Sequence, residues 1–422
     1  MDNRVFISEN NKSIMRIEER CVNCGQCLKT CENINKLKDD CINCGQCILT
    51  CPMGAIVPRY TYKDVQEYLN NNEYTVVVST APAVRVAIGD EFGYEAGEFL
   101  EGKLVGVLKE LGFDYVLDTT FGADLTIMEE ASELVKRIKG KENLPMMTSC
   151  CPSWITYMEK YHGNDLNLIS TTKSPISIQG AIIKNYFVDK LNLDKNKVIN
   201  VALAPCVSKK SEIARPELEG TDYVITTSEL AMMIREAGID FKNVLDKEYD
   251  RLLSKGSGAG VIFGSSGGVM EAALRTAYYL LNGEDAPEHF LDFQEVRGEL
   301  PIKEALVDLG VANIKVAVIN GIKNIENIYN SLDKYTFIEV MSCPGGCVGG
   351  AGQPMMAISK LQEYRNKRMK NLYNDDSNLK VRTSYDNPDI KEIYSEFLEQ
   401  PLSEKSEELL HTTYEEKVKT NV

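Results

Sequence analysis

Thirteen cysteines, divided between two patterns, constrain this chain of 422 residues more than any other feature. Eight of them form a tandem repeat near the N-terminus: Cys21, Cys24, Cys27, Cys31, Cys41, Cys44, Cys47 and Cys51. The other five lie in three short motifs that are far apart in the sequence: Cys150, Cys151, Cys206, Cys343 and Cys347. Thiolates are the ligands that iron–sulfur clusters require, so both patterns predict iron–sulfur sites, the second assembled from distant loops.

The bulk composition is typical of a globular protein of two or three domains, with 43% hydrophobic and 26% charged residues. The net charge of −15 argues against a nucleic-acid or anionic-membrane surface, so we expect neither as a partner. The N-terminus does not resemble a signal peptide, and no run approaches the roughly 20 apolar residues that span a bilayer. We therefore expect a cytoplasmic location, where spaced cysteines indicate metal binding or catalysis.

The charge is unevenly distributed along the chain. Residues 1–59 carry eight Lys or Arg and seven Asp or Glu, so the acidic excess lies in the rest of the chain. If electrons enter through this N-terminal segment, an acidic electron carrier would meet less repulsion there than elsewhere.

The two N-terminal runs, CVNCGQCLKTC and CINCGQCILTCP, are near copies offset by 20 residues. Their spacing is that of two-cluster bacterial ferredoxins, in which the fourth cysteine of each run ligates the other cluster. We therefore expect a 4Fe–4S cluster on each of two sets: Cys21, Cys24, Cys27 and Cys51, and Cys41, Cys44, Cys47 and Cys31. Structural zinc is the alternative, although zinc needs only four ligands, usually as two separated pairs. Gly25 and Gly45 allow the backbone to fold tightly around each cluster.

From about residue 60, apolar runs alternate with amphipathic stretches, which predicts an α/β domain with helices at 125–138 and 268–281. The expected strands are 75–79, 115–118, 146–149 and 198–203 in one half, and 223–226, 260–263, 315–319 and 337–341 in the other. Four strands in each half indicate two similar lobes. The cysteine motifs follow predicted strands, where open α/β sheets place their ligands. We expect the charged segment 356–422 to form a helical cap on the second lobe.

The remaining cysteines lie in TSCCPSW at 148–154, PCVSKKSE at 205–212 and EVMSCPGGC at 339–347. These motifs resemble the three signatures of the FeFe-hydrogenases, and stretches such as TAPAVRVAIG and FGADLTIMEEASEL extend the resemblance. It implies a ferredoxin-like domain, a catalytic domain with two four-stranded, mostly parallel sheets flanked by helices, and a small-subunit-like helical segment. Their expected bounds are 1–59, 60–355 and 356–422.

The resemblance also implies an H-cluster, in which a 4Fe–4S cube is joined through one cysteine to a two-iron subsite with carbon monoxide, cyanide and an azadithiolate. By motif position the cube ligands are Cys151, Cys206, Cys343 and Cys347, and Cys347 is the bridge. Lys209 is implied as a hydrogen-bond donor to cyanide, with a surface lysine as the alternative. Further cofactor contacts are implied at five positions: Ala81, Pro82, Phe263, Gly264 and Met341.

Cys150 is left without a cube to bind, and the resemblance implies that it relays protons to the bridging amine of the subsite. A buried inert thiol is the alternative. The implied route continues through Glu130, Ser170 and Glu133 to solvent. Glu130 and Glu133 are three residues apart on a predicted helix and so share a face, although such a pair is more often a solvated surface.

The implied activity is the reversible interconversion of H2 with two protons and two electrons. The implied partners are a ferredoxin or flavodoxin-like electron carrier and the maturation proteins that deliver the two-iron subsite. A hydrogen sensor with the same cluster and an iron–sulfur assembly protein of the same fold are the alternatives. Because the chain retains Cys150 and all three signatures, and shows no added sensory domain, we expect an enzyme.

Four positions depart from the usual signatures without removing an implied ligand or relay residue. Ala204 replaces the methionine that usually begins the second signature, and Ile176 replaces a frequent glutamine. Ser153 replaces the commoner glycine of the first signature, and Ala351 interrupts a run of glycines after the third. The three histidines fit no ligand pattern and are expected to be structural or exposed: His162, His289 and His411.

Overall fold

The computed structural model describes residues 3–35, 40–253 and 255–417, so the outermost residues of the first and last expected segments, 1–2 and 418–422, lie outside the described residues. Within these ranges, ten strands form one two-stranded and two four-stranded sheets. The strands are β1 Ile14–Arg16, β2 Ile56–Pro58, β3 Thr75–Thr80, β4 Tyr115–Asp118, β5 Met146–Met147, β6 Val198–Ala204, β7 Tyr223–Thr226, β8 Ile302–Asp308, β9 Asn313–Asn320 and β10 Phe337–Met341.

Seventeen α-helical segments within the described ranges surround the sheets, and none of these helices is long and apolar enough to cross a membrane. The helices of the first 200 residues are α1 Gln26–Ile34, α2 Gln46–Thr50, α3 Tyr62–Leu69, α4 Pro82–Arg85, α5 Glu101–Glu110, α6 Thr120–Gly140, α7 Pro152–Tyr161, α8 Pro175–Ile182 and α9 Val188–Lys190. The later helices are α10 Lys209–Glu212, α11 Thr227–Glu236, α12 Gly258–Ile262, α13 Gly268–Asn282, α14 Glu326–Tyr329, α15 Leu361–Asn378, α16 Pro388–Ile393 and α17 Glu404–Leu410.

The N-terminal cysteine repeat is also a structural repeat. Each run turns through a left-handed glycine, Gly25 with φ of 77° or Gly45 with φ of 70°, and then begins a helix, α1 or α2. Residues with a Cβ rarely adopt this backbone conformation, which explains the glycine in both copies. Strands β1 and β2 pair antiparallel and join the two ends of this segment.

The two four-stranded sheets confirm the expected architecture. The first has the order β4-β3-β6-β7 and is entirely parallel. The second has the order β5-β10-β9-β8, in which only β8 runs antiparallel to its neighbour. The division of strands by halves of the chain is wrong, because β5 joins the second sheet and β7 joins the first. The chain therefore crosses between the lobes more than once.

Among the strands of the two four-stranded sheets, one prediction is also wrong, and one strand was missed. Residues 260–263 belong to the region of α12 rather than to a strand. A short apolar run of four residues does not distinguish a buried helix from a buried strand. The missed strand, β8, is an edge strand with exposed charged residues and with Leu306 80% exposed, so it lacks a continuous apolar pattern.

Helix α6 joins the two lobes. Phe121 and Leu125, near its start, pack in the core of the first sheet. Leu134 and Val135, two turns further on, pack in the core of the second sheet. Because the helix is covered on nearly all sides, its polar residues are buried as well, and this places carboxylates in the interior of the protein.

The C-terminal segment packs on both lobes, so the expectation of a cap on the second lobe alone is wrong. Helix α15 contacts α4 and α12, and its Asp376 accepts a hydrogen bond of 2.9 Å from Arg275 of α13. Helix α17 packs on α8, and Leu410 is buried in the same core as Ile182 of the first lobe. The segment is therefore a strap that holds the two lobes together.

Candidate metal centre

The carboxyl ends of β3, β5, β6 and β10 lead into loops that line one cavity. This convergence follows from the two sheets, because parallel strands end at the same edge. The cavity brings together every residue of the catalytic domain that was expected to hold the cofactor or to contact it: Ala81, Pro82, Cys151, Cys206, Lys209, Phe263, Gly264, Met341, Cys343 and Cys347. Cys150 lines it too. Lys209 is the one charged side chain among the described lining residues.

The four expected cube ligands lie close enough to act on one another electrostatically. Burial, followed by the charges of Cys347 and Cys151, raises the pKa of the Cys206 thiol to about 12. Burial, followed by the charges of Cys206 and Cys151, raises the pKa of Cys343 well above its usual value. Such a cluster of buried thiols takes its anionic, ligating form only when a metal supplies compensating positive charge.

The donor set at this cavity fits an iron–sulfur cube. Four thiols from three separate loops line the same cavity: Cys151, Cys206, Cys343 and Cys347. A 4Fe–4S cube takes four thiolates, one on each iron. The number and type of donors at the cavity therefore match one cube.

Lys209 is a buried cation aimed at the cavity rather than a surface lysine. Its ammonium donates to the carbonyl oxygen of Cys150 at 3.1 Å and to Glu212 Oε2 at 2.6 Å. Burial lowers the pKa of Lys209, but the charge and hydrogen bond of Glu212, together with the charges of Cys206 and Cys150, raise it above its usual value. Glu212 is held in turn by the hydroxyl of Ser177 at 2.8 Å. The wall of the cavity thus carries one fixed positive charge, held in place by Glu212.

The structure brings the N-terminal cysteines together in two adjacent groups. Cys21, Cys24, Cys27 and Cys51 line a second, smaller cavity. In the other set, burial and then the charges of Cys44 and Cys41 raise the pKa of Cys31 to about 12. The pKa of Cys47 is raised by burial and then by the charges of Cys44, Cys41 and Cys31 of the same set, and last by that of Cys27.

Gln46, which the sequence analysis missed, connects the set that contains Cys44 to the cavity that Lys209 lines. Its Nε2 donates to Cys343 Sγ at 3.2 Å and to the carbonyl oxygen of Gly349 at 2.9 Å. The charge of Cys44 also contributes to the raised pKa of Cys343. The set that contains Cys44 therefore lies beside the cavity, whereas the set that contains the exposed Cys24 lies further out. The sequence signal that could have identified Gln46 was its position between two cysteines of the repeat.

Glu130 and Glu133 are both buried on α6, so the solvated-surface alternative is wrong for this pair. Burial, followed by the charges of Glu133 and Glu339, raises the pKa of Glu130 to about 8. The charge of Glu130 in turn acts on Cys150, which places the two groups close together. Neither carboxyl oxygen of Glu130 has a hydrogen bond of good geometry within the part of the chain described. Glu130 is therefore a buried acid that is protonated at neutral pH.

Ser170 and Glu133 are joined directly, with the hydroxyl of Ser170 donating to Glu133 Oε2 at 2.7 Å. Arg137 holds the other oxygen of Glu133 from Nη2 at 2.6 Å. Glu133 and Arg137 also line a separate polar cavity, whose wall includes Glu407 and other residues of the C-terminal segment. Glu130 beside Cys150 and Glu133 at the polar cavity thus connect the two cavities along α6.

Two of the four departures from the usual signatures line the cavity that contains Lys209 and the catalytic-domain cysteines, and two do not. Ala204 and Ile176 are both buried lining residues, so the cavity wall is apolar there. Ser153 instead donates to the hydroxyl of Ser208 at 3.0 Å. Ala351 is buried against the cysteine repeat, where it packs beside Val207.

Comparisons with known families agree with this site. The model described as "Iron only hydrogenase large subunit, C-terminal domain" matches residues 74–351. Models described as "Iron hydrogenase small subunit" and "4Fe-4S binding domain" match residues 362–417 and 34–57. The chain therefore belongs to the iron-only hydrogenase family, which confirms the resemblance and shows that it carries a 4Fe–4S binding domain.

Individual relatives give the same picture. The chain is 41% identical over 408 residues to the NADP-reducing hydrogenase subunit HndD of Solidesulfovibrio fructosivorans, a match that covers 93% of this chain and 66% of that protein. It is 39% identical over 447 residues to iron hydrogenase 1 of Clostridium pasteurianum, covering 98% and 78%. A solved apo structure of a variant of FeFe-hydrogenase HydA1 from Chlamydomonas reinhardtii matches with a TM-score of 0.74 and 38% identity, covering 85% of this chain and 99% of that one.

The different roles expected for neighbouring cysteines are testable by iron content. In protein produced without the two-iron subsite, we expect Cys206→Ala to lose one cube, about four irons and four sulfides per chain. The matched variant Cys150→Ala is expected to keep the full content, because Cys150 is not needed for a cube. Colorimetric iron and sulfide analysis measures both. Equal losses in the two variants would contradict the assignment.

The raised pKa of Glu130 predicts a protonated carboxyl that titrates unusually late. Because the pKa is raised from 4.5 to about 8, the side chain keeps its proton at neutral pH and loses it as the pH rises through about 8. We expect an infrared carbonyl band of a protonated carboxyl that disappears over this interval. The band should be missing in Glu130→Gln and retained in Glu110→Gln, an exposed control. A band that disappears near pH 4.5 instead would refute the burial argument.

Proposed function

We propose that this protein is an FeFe-hydrogenase that interconverts H2 with two protons and two electrons. The observation that carries the proposal is the cavity that joins four cysteines, a fifth cysteine and one buried lysine beside a buried acid. The family, rather than the reaction, is what the comparisons establish. The proposed division is an electron-transfer domain at 1–59, a catalytic domain at 60–355 and a C-terminal strap at 356–422.

The residues at the cavity suit an H-cluster. Cys151, Cys206, Cys343 and Cys347 would hold its cube, with Cys347 as the bridge to the two-iron subsite. When bound, the H-cluster supplies the cleavage and formation of H2, and the 4Fe–4S clusters carry the electrons. Lys209 would neutralise and orient an anionic cyanide ligand, because it is the one charged side chain among the described lining residues. The apolar contacts would come from the other lining positions: Ala81, Pro82, Phe263, Gly264 and Met341.

The chain's own part in the reaction is to exclude water and move protons. Cys150 would exchange a proton with Glu130, whose pKa of about 8 suits a group that must both accept and return a proton near neutral pH. The hydroxyl of Ser170, already bonded to Glu133, can pass the proton on by accepting one and donating another. Glu133 would then exchange its proton with water in the separate polar cavity that it lines together with Arg137.

The cysteine repeat would supply the path for electrons. We propose two 4Fe–4S clusters, an inner one on the set that contains Cys44 and an outer one on the set that contains Cys24. Arg4 and Arg16 line the small cavity that contains Cys24, which favours an acidic carrier of the ferredoxin or flavodoxin-like type. Maturation proteins would deliver the two-iron subsite, because the chain encodes only its ligands.

A scaffold role in iron–sulfur assembly is the second candidate, because the relatives include such proteins. The cytosolic Fe–S cluster assembly factor narfl of Danio rerio is 29% identical over 392 residues, covering 87% of this chain and 94% of that protein. The identity is lower than to the hydrogenases above. The buried set of Cys150, Glu130, Ser170 and Glu133 also favours the enzyme, since a scaffold has no need of a proton route.

Replacing Cys150 tests the proposal. On protein loaded with all clusters, we expect Cys150→Ala to lower turnover in both directions by about 10²–10⁴-fold, the usual contribution of a general acid–base group. Turnover is measured without oxygen and with an artificial electron carrier. The carbonyl infrared bands of the subsite serve as the loading control and should persist in the variant. Little turnover in the unmodified protein despite intact bands would move the assignment to a hydrogen sensor.

A further inference from the structure

The C-terminal strap is joined to the proposed proton route by a short antiparallel pairing. The amide of Lys173 donates to the carbonyl oxygen of Leu410, and the amide of Thr412 donates to that of Thr171, both at 2.8 Å. Thr172 pairs with His411 in the same register. The strap therefore lies along the segment that immediately follows Ser170.

His411 lies at the centre of this pairing and is nearly buried, with its side chain 7% exposed. Its Nε2 lies 3.1 Å from Glu129 Oε2, and its Nδ1 lies 2.8 Å from the hydroxyl oxygen of Thr171. A carboxylate can only accept, so Nε2 carries the proton and donates to Glu129. In the neutral ring, Nδ1 then accepts from the hydroxyl of Thr171. Both ring nitrogens therefore have hydrogen-bond partners. His411 is a buried, structural histidine, which was one of the two expectations for the histidines.

Glu129 is a fixed support for His411. It is fully buried, and its two oxygens also accept from the hydroxyl of Tyr394 at 2.6 Å and from the amide of Leu402 at 2.8 Å. Both donors belong to the strap. Glu129 lies one helical turn before Glu133 on α6, so the two carboxylates are spaced along one side of the helix.

Thr171 completes the connection to the relay. Its amide donates to Glu133 Oε2 at 3.1 Å, the same oxygen that accepts the hydroxyl of Ser170. The amide of Thr172 donates to the hydroxyl oxygen of Ser170 at 3.2 Å. The conformation of residues 170–172 therefore determines how Ser170 meets Glu133, and His411 holds that conformation through Thr171.

We propose that His411 is a positioning residue for the proton relay, acting from the C-terminal strap through the Glu129–His411–Thr171 bridge to keep the hydroxyl of Ser170 on Glu133. This inference rests on the relay of the proposed function. His411 does not touch the reacting atoms. Its loss should loosen residues 170–172 and slow proton transfer in both directions, while the cysteine ligands stay in place.

The first test needs no two-iron subsite. In His411→Leu, we expect amide hydrogen exchange at residues 170–172 to rise by about tenfold, the effect of losing the one hydrogen bond between His411 and Thr171. Thr171→Val, which removes only the hydroxyl, should give the same increase, and Thr171→Ser should restore protection. His289→Leu, at an exposed histidine, is the matched control. Unchanged exchange in both His411→Leu and Thr171→Val overturns the inference.

The second test uses the loaded protein. We expect His411→Leu and Thr171→Val to lower turnover by about tenfold and to raise the solvent deuterium isotope effect, because proton transfer becomes rate-limiting. Thr171→Ser should restore both, and iron content and carbonyl bands should not change. Raised exchange with normal turnover and an unaltered isotope effect contradicts a positioning role. A fully active Glu133→Gln variant overturns the relay itself, a failure of the proposed function that is separate from the exchange result.

Discussion

The burial of several thiol ligands in one dry cavity is the constraint on which the rest of the structure depends. Cys151, Cys206 and Cys343 follow strands of two different sheets, so the cavity exists only while the two lobes keep a fixed relation. Helix α6 and the C-terminal strap provide that relation by packing on both lobes. Buried charge is costly unless it is compensated, and this accounts for the single lysine among the described lining residues and for the carboxylate that holds it.

Burial also determines which carboxylates of α6 are fixed and which can exchange a proton. A helix that joins two cores is covered on most sides, so Glu129, Glu130 and Glu133 are dry, but their partners differ. Glu129 and Glu133 are held by several donors, whereas Glu130 is left without a hydrogen bond of good geometry in the described ranges and its pKa rises to about 8. One helix thus carries two fixed carboxylates and one that can exchange a proton near neutral pH.

The sequence predicted what depends on chemistry and missed what depends on packing. Cysteine spacing and the three signatures were sufficient to identify the family and to select residues that line one cavity, because ligand type and order are local properties. The strand β8 and the assignment of β5 and β7 to sheets were missed, since pairing partners are set by long-range packing. The roles of Gln46 and His411 were also missed, because each depends on contacts about 240 or more residues away in the chain.

Isotope exchange tests the central claim most directly, because it requires H2 cleavage and proton exchange but no net electron transfer. The loaded protein is placed in D2O under H2 without an electron carrier, and the gas phase is followed by mass spectrometry. The account predicts steady formation of HD and D2, because the cavity cleaves H2 and the relay exchanges its protons with solvent. An absence of HD and D2 while the carbonyl infrared bands remain intact would contradict it.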